Sequence, residues 1–167
     1  MDPIAEARRH WQDRGWSEAA DGMAAVTSIM RTQQILLARI EAKLKPYELT
    51  FARFELLALL SFTKEGALPM AKASARLQVH PTSVTNTVHR LERAGLVRRG
   101  ADPDDGRTKL VEITPRGRDV VAKATLALNE EVFAKPGFSA PEVNRLNEML
   151  CRFRHGAGDF AETRFPI

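Results

Sequence analysis

Length, composition and charge narrow the classes to which this chain can belong. It has 167 residues, of which 44% are hydrophobic and 28% are charged, and this balance excludes a wholly disordered chain and a fibrous repeat. The N-terminal segment MDPIAEARRHW lacks the apolar core of a signal peptide, and no apolar run approaches the roughly 18 residues of a membrane-spanning helix. We therefore expect a cytoplasmic protein of one domain, or of one small domain with helical additions, without membrane association.

The positive charge is concentrated in one short stretch. The formal net charge is +4, which by itself only favours an acidic partner. Residues 79–100 carry +3 of this charge, through four arginines and one acid: Arg90, Arg93, Arg98, Arg99 and Glu92.

Apolar periodicity, caps and breakers predict a mainly helical chain. A long helix covers residues 21–44, and a second helix begins at the capping residue Thr50 and ends at Gly66. The elements that follow are a short helix at 70–77, a helix at 81–94, an antiparallel hairpin of 96–99 with 109–114, and helices at 114–134 and 139–154. Residues 3–14 are left open between a helix and an irregular extension.

Local signals define several helix ends. Pro81 occupies a first-turn position that needs no N–H, and Gly95 favours a left-handed stop in which Leu91 and Leu96 come into contact. Ser139 begins the sequence SAPE, whose S-x-x-E spacing predicts a capping box at the start of the last helix.

The order helix, short helix, helix and hairpin between residues 51 and 114 is that of a winged helix-turn-helix. The predicted fold class is therefore mainly α with a small antiparallel β wing. Within the helix at 81–94, Val84, Val88 and Leu91 are expected to pack inward. The polar side chains expected to point outward, toward base edges, are Thr82, Ser83, Thr85, Asn86, His89 and Arg90.

The chemistry of these side chains suits the major groove of double-stranded DNA. Asn86 can donate and accept together, as the edge of adenine requires, threonine methyl groups can contact thymine methyl groups, and Arg90 can reach guanine or phosphate. Short side chains also permit close approach, whereas lysine or glutamate would hold the backbone away or repel the phosphates. The alternative interpretation is an ordinary solvated polar face.

The hairpin offers a second contact with DNA. An arginine at its tip, Arg107, can enter a narrow minor groove, and Asp105 is expected to pair with Arg107 and orient its guanidinium. The predicted DNA contacts of the wing are Arg98, Arg99, Asp105, Arg107 and Lys109. The alternatives are an ordinary surface hairpin, or a winged helix that binds another protein and no DNA.

The segment LQVHPTSVTNTVHRLERAGLVRRGADPDDGRTKLVEITPRG resembles the multiple-antibiotic-resistance regulator (MarR) family. The resemblance is specific in the helix ending RLERAGLVRR, the wing DPDDGR and the strand LVEITPRG, and the order of elements extends it to about residues 21–153. It implies a DNA-binding module at residues 50–114. It also implies dimerisation helices in the flanking parts, 1–49 and 115–167.

The resemblance further implies how such a protein works. Family members are typically homodimeric repressors that bind pseudo-palindromic double-stranded DNA. Small effectors, often phenolic or anionic, bind in a crevice between the dimerisation helices and the winged module and release the DNA. The resemblance places the recognition helix at residues 81–94 and the minor-groove arginine on Arg107.

The extra N-terminal piece IAEARRHWQDRGW resembles the added helix of the urate-responsive branch of the family. Trp11 lies near the position of that branch's ligand-contacting tryptophan, Glu55 stands where the branch has an aspartate, and Arg99 matches a wing arginine. Thr87, however, replaces the recognition-helix arginine. The set is thus incomplete, and packing of the tryptophans in a dimer is the alternative. The candidate effector residues are Trp11, Arg14, Arg53 and Glu55.

Other chemistry finds little support in the sequence. Cys151, with Arg152, Arg154 and His155 nearby, leaves a redox-responsive regulator as an alternative, although peroxide sensors of the family carry their cysteine near the first helix. The histidines show no metal-ligand spacing, and neither a nucleophile motif nor a phosphate loop is present. We therefore predict no metal, no cofactor and no enzymatic activity.

Overall fold

The computed structural model describes residues 1–101 and 108–160, which are mostly helical. Within them the elements are α1 (Pro3–Asp13), α2 (Ser17–Leu44), a 3₁₀ turn (Lys45–Tyr47), α3 (Phe51–Ser61), β1 (Ala67–Pro69), α4 (Met70–Leu77), α5 (Pro81–Arg93), β2 (Val97–Ala101), β3 (Lys109–Ile113), α6 (Pro115–Leu128), a π-helical turn (Asn129–Phe133) and α7 (Ala140–Gly156). The chain forms two compact units, Met1–Val132 and Phe133–Ile167. The predicted fold class, mainly helical with a winged helix-turn-helix, is confirmed.

Helix α3 supplies much of the core of the first unit. Its residues Phe54, Leu56, Leu57 and Leu60 are buried. They pack with the end of α2, with the inward face of α5 and with the sheet. Because burial of each leucine stabilises the fold by about 1.5–3 kcal/mol, α3 provides a firm support for the helix that carries the polar face.

The sheet has one strand more than the predicted hairpin. Strand β3 lies between β2 and β1 and is antiparallel to both, with Val97 opposite Ile113 and Leu68 opposite Val111. No sequence signal predicts β1, because this strand is three residues long and ends at Pro69. Its pairing with β3, rather than any periodicity of its own, makes it a strand.

Two helix boundaries differ from the predicted ones. Helix α2 begins at Ser17 instead of residue 21, because α1 packs on its first turns and buries Ala20. Helix α3 ends at Ser61 instead of continuing to Gly66. The hydroxyls of Ser61 and Thr63 donate hydrogen bonds to the carbonyls of Ala58 and Leu60, both at 2.7 Å, and these bonds satisfy the open end of the helix.

The N-terminal segment is helical. The Asp2 side chain accepts a hydrogen bond from the Ile4 amide at 2.9 Å, and Pro3 follows at a first-turn position, so that the start of α1 is capped. Arg8 donates to Asp21 at 2.6 Å. Asp21 therefore joins α1 to α2 instead of capping α2.

The connection between the sheet and α6 requires glycine at one position. A Cβ atom on Gly117 would lie 2.1 Å from the carbonyl oxygen of Leu96 and 2.8 Å from the Ile113 side chain. Thr114 caps this helix, since its hydroxyl accepts from the Gly117 amide at 3.0 Å. The wing strands and α6 thus meet at a contact that admits no side chain at residue 117.

The end of α6 widens into the π-helical turn, which the sequence pattern did not predict. Arg39 of α2 donates to the carbonyl oxygen of Glu131 at 2.7 Å, and Lys43 pairs with the Glu131 carboxylate at 3.1 Å. These contacts come from a helix distant in sequence. Local propensity therefore could not have predicted the turn.

The second unit contains α7 with its predicted cap. The amide and the hydroxyl of Ser139 donate to the Glu142 carboxylate at 2.8 Å and 2.6 Å, and these bonds lower the pKa of Glu142. The apolar residues Leu146, Met149, Leu150 and Phe153 of this helix are exposed. None of the described helices combines the length and the apolar character that a membrane-spanning segment requires.

Candidate nucleic-acid interface

Helix α5 has two faces of opposite character. Val84, Val88 and Leu91 are only 2%, 0% and 1% exposed and pack against the core, as predicted. The structure places all six of the predicted base-contacting residues on the exposed side: Thr82, Ser83, Thr85, Asn86, His89 and Arg90. Their contact with DNA remains a prediction.

The ends of α5 are fixed by local bonds. At the start, the Nδ1 atom of His80 accepts from the Thr82 amide at 3.3 Å, and Pro81 follows it. At the end, Gly95 adopts φ +70°, and the Leu96 amide donates to the carbonyl of Leu91 at 2.9 Å. This is the predicted Schellman stop. The cap by His80 was not predicted.

The exposed polar groups of α5 differ in whether the protein already uses them. Thr85 donates its hydroxyl to the carbonyl oxygen of Pro81 at 3.0 Å. Across residues 1–101 and 108–160, no hydrogen bond or ion pair occupies the side chains of the other five: Thr82, Ser83, Asn86, His89 and Arg90. Groups that point into solvent without a protein partner are available to a ligand.

Sequence reasoning did not include Arg93 in the site. Thr82, Asn86, His89 and Arg93 are spaced by four, three and four residues, so they form one stripe opposite the buried valines. Arg93 is exposed and lies in the last turn of α5. The helical spacing alone would have identified it. An arginine at this end of the stripe can reach the phosphate backbone.

The arginines at the base of the wing are engaged within the protein. Arg98 on β2 lies directly opposite Glu112 on β3, and its Nε and Nη2 atoms donate to the two carboxylate oxygens at 2.9 Å and 2.7 Å. Arg99 pairs with Glu92 of α5 at 3.3 Å. The hydrogen bonds that Arg98 donates to Glu112 lower the pKa of the Glu112 carboxyl. The predicted DNA contacts through Arg98 and Arg99 would compete with these pairs.

The rest of the wing is described only in part. Lys109 is exposed at the start of β3, opposite Ala101. Asp105 and Arg107 lie outside the described residues. Their predicted ion pair and the predicted minor-groove contact of Arg107 therefore remain predictions.

The candidate effector residues lie in three separate clefts of one chain. Trp11 lines a cleft with Trp16, whose ring it meets edge-on at 5.4 Å, and Arg14 lies over the Trp16 ring at 6.0 Å. Arg53 lines another cleft and donates to the Glu48 carbonyl at 3.3 Å. In the described part of the single chain, Trp11, Arg53 and Glu55 line three different clefts.

Glu55 lines the third cleft, behind α5. The cleft also contains Thr87 and Val79, and partial burial raises the pKa of the Glu55 carboxyl. Glu55 and Thr87 are the two residues for which the resemblance predicted a correspondence to an acid and an arginine of the urate-responsive branch, and this correspondence remains a prediction. The cleft measures about 50 Å³, whereas a cavity that admits benzene measures about 150 Å³. As it stands, this space does not accept an aromatic effector.

Metal and thiol chemistry gain no support from the geometry. Among the described residues, no group of three His, Cys, Asp or Glu side chains could hold a metal ion. Cys151 is half-buried on α7. Arg154, one of its predicted activating neighbours, donates to Asp159 at 2.6 Å and lies over the Phe160 ring.

Comparisons with known proteins agree with this geometry. The family model described as MarR family matches residues 47–108, which include α3, α4, α5 and β2. The chain spans about half the length of the first two curated relatives that it matches, both HTH-type regulators, at 55% and 51%.

Solved structures extend the match beyond the winged module. Sco5413, a MarR family transcriptional regulator from Streptomyces coelicolor, is 52% identical over 85% of this chain and 99% of its own, with a TM-score of 0.77. CouR from Rhodococcus jostii, bound to p-coumaroyl-CoA, is 25% identical over 73% of this chain and 85% of its own, with a TM-score of 0.64. A mutant MarR from E. coli, complexed with operator DNA, shares the fold at 20% identity over 81% of this chain and 96% of its own, with a TM-score of 0.73. The chain belongs to the MarR family of transcriptional regulators.

Proposed function

We propose that this protein is a sequence-specific regulator of transcription that binds double-stranded DNA through α5. The observation that carries the proposal is the row of exposed polar side chains on this helix. The side chains of Thr82, Asn86 and His89 lie in line on the side of α5 opposite its buried residues. They have no hydrogen-bond or ion-pair partner among the described residues. Short hydrogen-bonding groups on a rigidly supported helix are what direct readout of the major groove requires.

The active form in this proposal is a homodimer. In one chain α2 exposes Val26, Ile29, Met30 and Ile35 along successive turns. A second apolar surface is exposed on α7. Monomeric proteins rarely leave such extended apolar surfaces uncovered. Two copies of α5 would then enter successive major grooves of a pseudo-palindromic operator, with half-site centres roughly 34–36 Å apart.

Regulation in this proposal is repression that an effector relieves. The relative CouR was solved with p-coumaroyl-CoA bound, and this supports a small, phenolic or anionic effector here. Since one chain keeps Trp11, Arg53 and Glu55 in separate clefts, we infer that the effector site is completed only in the dimer. A coupling of about 1–3 kcal/mol between effector and DNA would lower DNA affinity about 5- to 150-fold. The regulator acts in the cytoplasm.

Selection of bound fragments from random duplex DNA tests the proposal. The expected result is one pseudo-palindromic site with the half-site spacing given above, bound by a dimer in sedimentation. Affinity for that site should fall steeply with added salt, because several phosphates per subunit release counterions. Absence of any enriched sequence, or binding that is insensitive to salt, would contradict a DNA-binding role and favour a protein partner.

A further inference from the structure

The hydroxyl of Thr85 differs from the other exposed polar groups on α5. Its Oγ1 atom lies 3.0 Å from the carbonyl oxygen of Pro81. Because a carbonyl oxygen can only accept, the hydrogen of this bond comes from Thr85, whose single donor is therefore used within the helix. Thr82 and Ser83, on the same exposed side, have no side-chain hydrogen bond among the described residues.

The bond leaves Thr85 with its methyl group and with the lone pairs of an oxygen held against the backbone. A threonine that bonds the carbonyl four residues earlier has its χ1 angle fixed. The methyl group of Thr85 thus has one position before any ligand arrives. An ordered apolar group loses no rotamer entropy on contact, whereas the hydroxyl has no hydrogen left to donate to a base.

In the major groove, the apolar feature of a base pair is the C5 methyl group of thymine. We propose that Thr85 is a specificity-determining residue that recognises one thymine in each half-site through contact between the two methyl groups. The inference rests on the proposed function, because it presumes that α5 enters the major groove. It assigns this side chain apolar readout, in contrast to the hydrogen-bonding role of its neighbour Asn86.

Two substitutions separate the methyl group from the hydroxyl. Thr85→Val keeps a methyl group on Cβ and replaces the hydroxyl, while Thr85→Ser keeps the hydroxyl and removes the methyl group. Replacing single thymines of the selected operator by deoxyuridine removes the C5 methyl from the DNA side and preserves all base pairing. The ratio of affinities for the thymine and uracil duplexes is then measured for each protein.

The wild type and Thr85→Val should each lose about fourfold in affinity at the same thymine of each half-site, which corresponds to one lost methyl-sized contact. Thr85→Ser should bind the thymine duplex about 16-fold more weakly than the wild type, because each of the two subunits loses one methyl contact that is worth about fourfold. It should show no difference between the two duplexes. A general loss of helix stability would affect both duplexes equally, so the ratio isolates the contact.

Thr125→Ser provides the matched control. Thr125 makes the same kind of bond, to the carbonyl of Val121 at 2.7 Å, in α6. Its substitution should leave the thymine-to-uracil ratio at the wild-type value.

The inference is overturned if Thr85→Ser keeps the wild-type preference for the thymine duplex over the uracil duplex while Thr85→Val loses this preference. The hydroxyl would then be the group that recognises the base. It is also overturned if no thymine distinguishes the wild type from Thr85→Ser. Failure of the wild type to select any sequence would instead overturn the proposed function, so the two failures are distinguishable.

Discussion

The outward face of α5 and the base of the wing are both exposed and polar, yet they differ in what their side chains already do. On α5, Asn86 and His89 have no partner among the described residues. At the wing base, Arg98 is 70% exposed and still gives two hydrogen bonds to Glu112. Exposure and positive charge therefore do not by themselves make a group available to DNA.

The largest effect, on the free energy of unfolding, should come from a substitution on the buried face of α5. Leu91→Ala should lower the free energy of unfolding by about 2–5 kcal/mol, because it leaves a cavity in a fully packed core. His89→Ala, on the exposed side of the same helix, should change it by about 0.5 kcal/mol or less. Chemical denaturation of both variants checks the prediction. Equal losses would mean that the two faces are not distinct.

Removal of an available group should weaken recognition of the operator specifically. Asn86→Ala should cost about 1–3 kcal/mol of binding free energy on the selected operator and little on random duplex DNA, because it removes paired contacts to one base edge. Fluorescence anisotropy with both duplexes measures the difference. An equal loss on both would show that Asn86 contacts the DNA backbone instead.

The two kinds of arginine on the wing should respond differently. Arg107→Ala should weaken binding to all sequences and reduce the slope of log affinity against log salt by about one for each subunit of the proposed dimer, as expected for one lost phosphate-neutralising group per subunit. Arg98→Ala should reduce the slope by less, because Glu112 already holds its guanidinium. The affinities are measured from about 50 to 200 mM salt.

Removal of the ion pair between Arg98 and Glu112 provides the control for the comparison of the two arginines. In a Glu112→Gln background Arg98 loses its ionic partner, and Arg98→Ala should then reduce the salt slope by more than it does in the wild type. If Arg98→Ala and Arg107→Ala have the same effect in the wild-type background, the ion pair does not restrain Arg98.

The smallest effect concerns pH. Arg98 holds the pKa of Glu112 below its usual value of 4.5, so the ionised carboxylate favours the folded state. This contribution should be present above pH 4.5 and should be lost as the pH falls through the lowered pKa. Unfolding free energies between about pH 6 and pH 3 should therefore decline more for the wild type than for Glu112→Gln. Parallel curves would mean that the pair does not contribute to stability.

Much of the fold follows from local chemistry, and the remainder depends on contacts distant in sequence. Thr50, Thr114 and Ser139 mark helix starts because their side chains bond nearby groups. Gly95 marks the end of α5 because its left-handed backbone closes the last turn. The π-helical turn and the start of α2 have no such local signal, since α2 and α1, respectively, stabilise them by packing.

The candidate site, like the fold, could be predicted from the sequence only where local spacing determines it. Helical spacing identified the exposed face of α5 and could also have identified Arg93. The Arg98–Glu112 pair requires the strand register, which the sequence does not specify because the length of the hairpin tip was open. Of the candidate effector residues, Trp11, Arg53 and Glu55 line different clefts of a single chain. In the proposed dimer, their assembly would depend on a second subunit that the sequence of one chain does not position.

The most direct test of the role of α5 is a selection from random duplex DNA performed side by side with the wild type and Asn86→Ala. The expected result is the same pseudo-palindromic site for both proteins, except that Asn86→Ala tolerates any base at one symmetry-related position in each half-site. An unchanged site for Asn86→Ala, with every position still specified, would contradict base reading by the exposed face of α5.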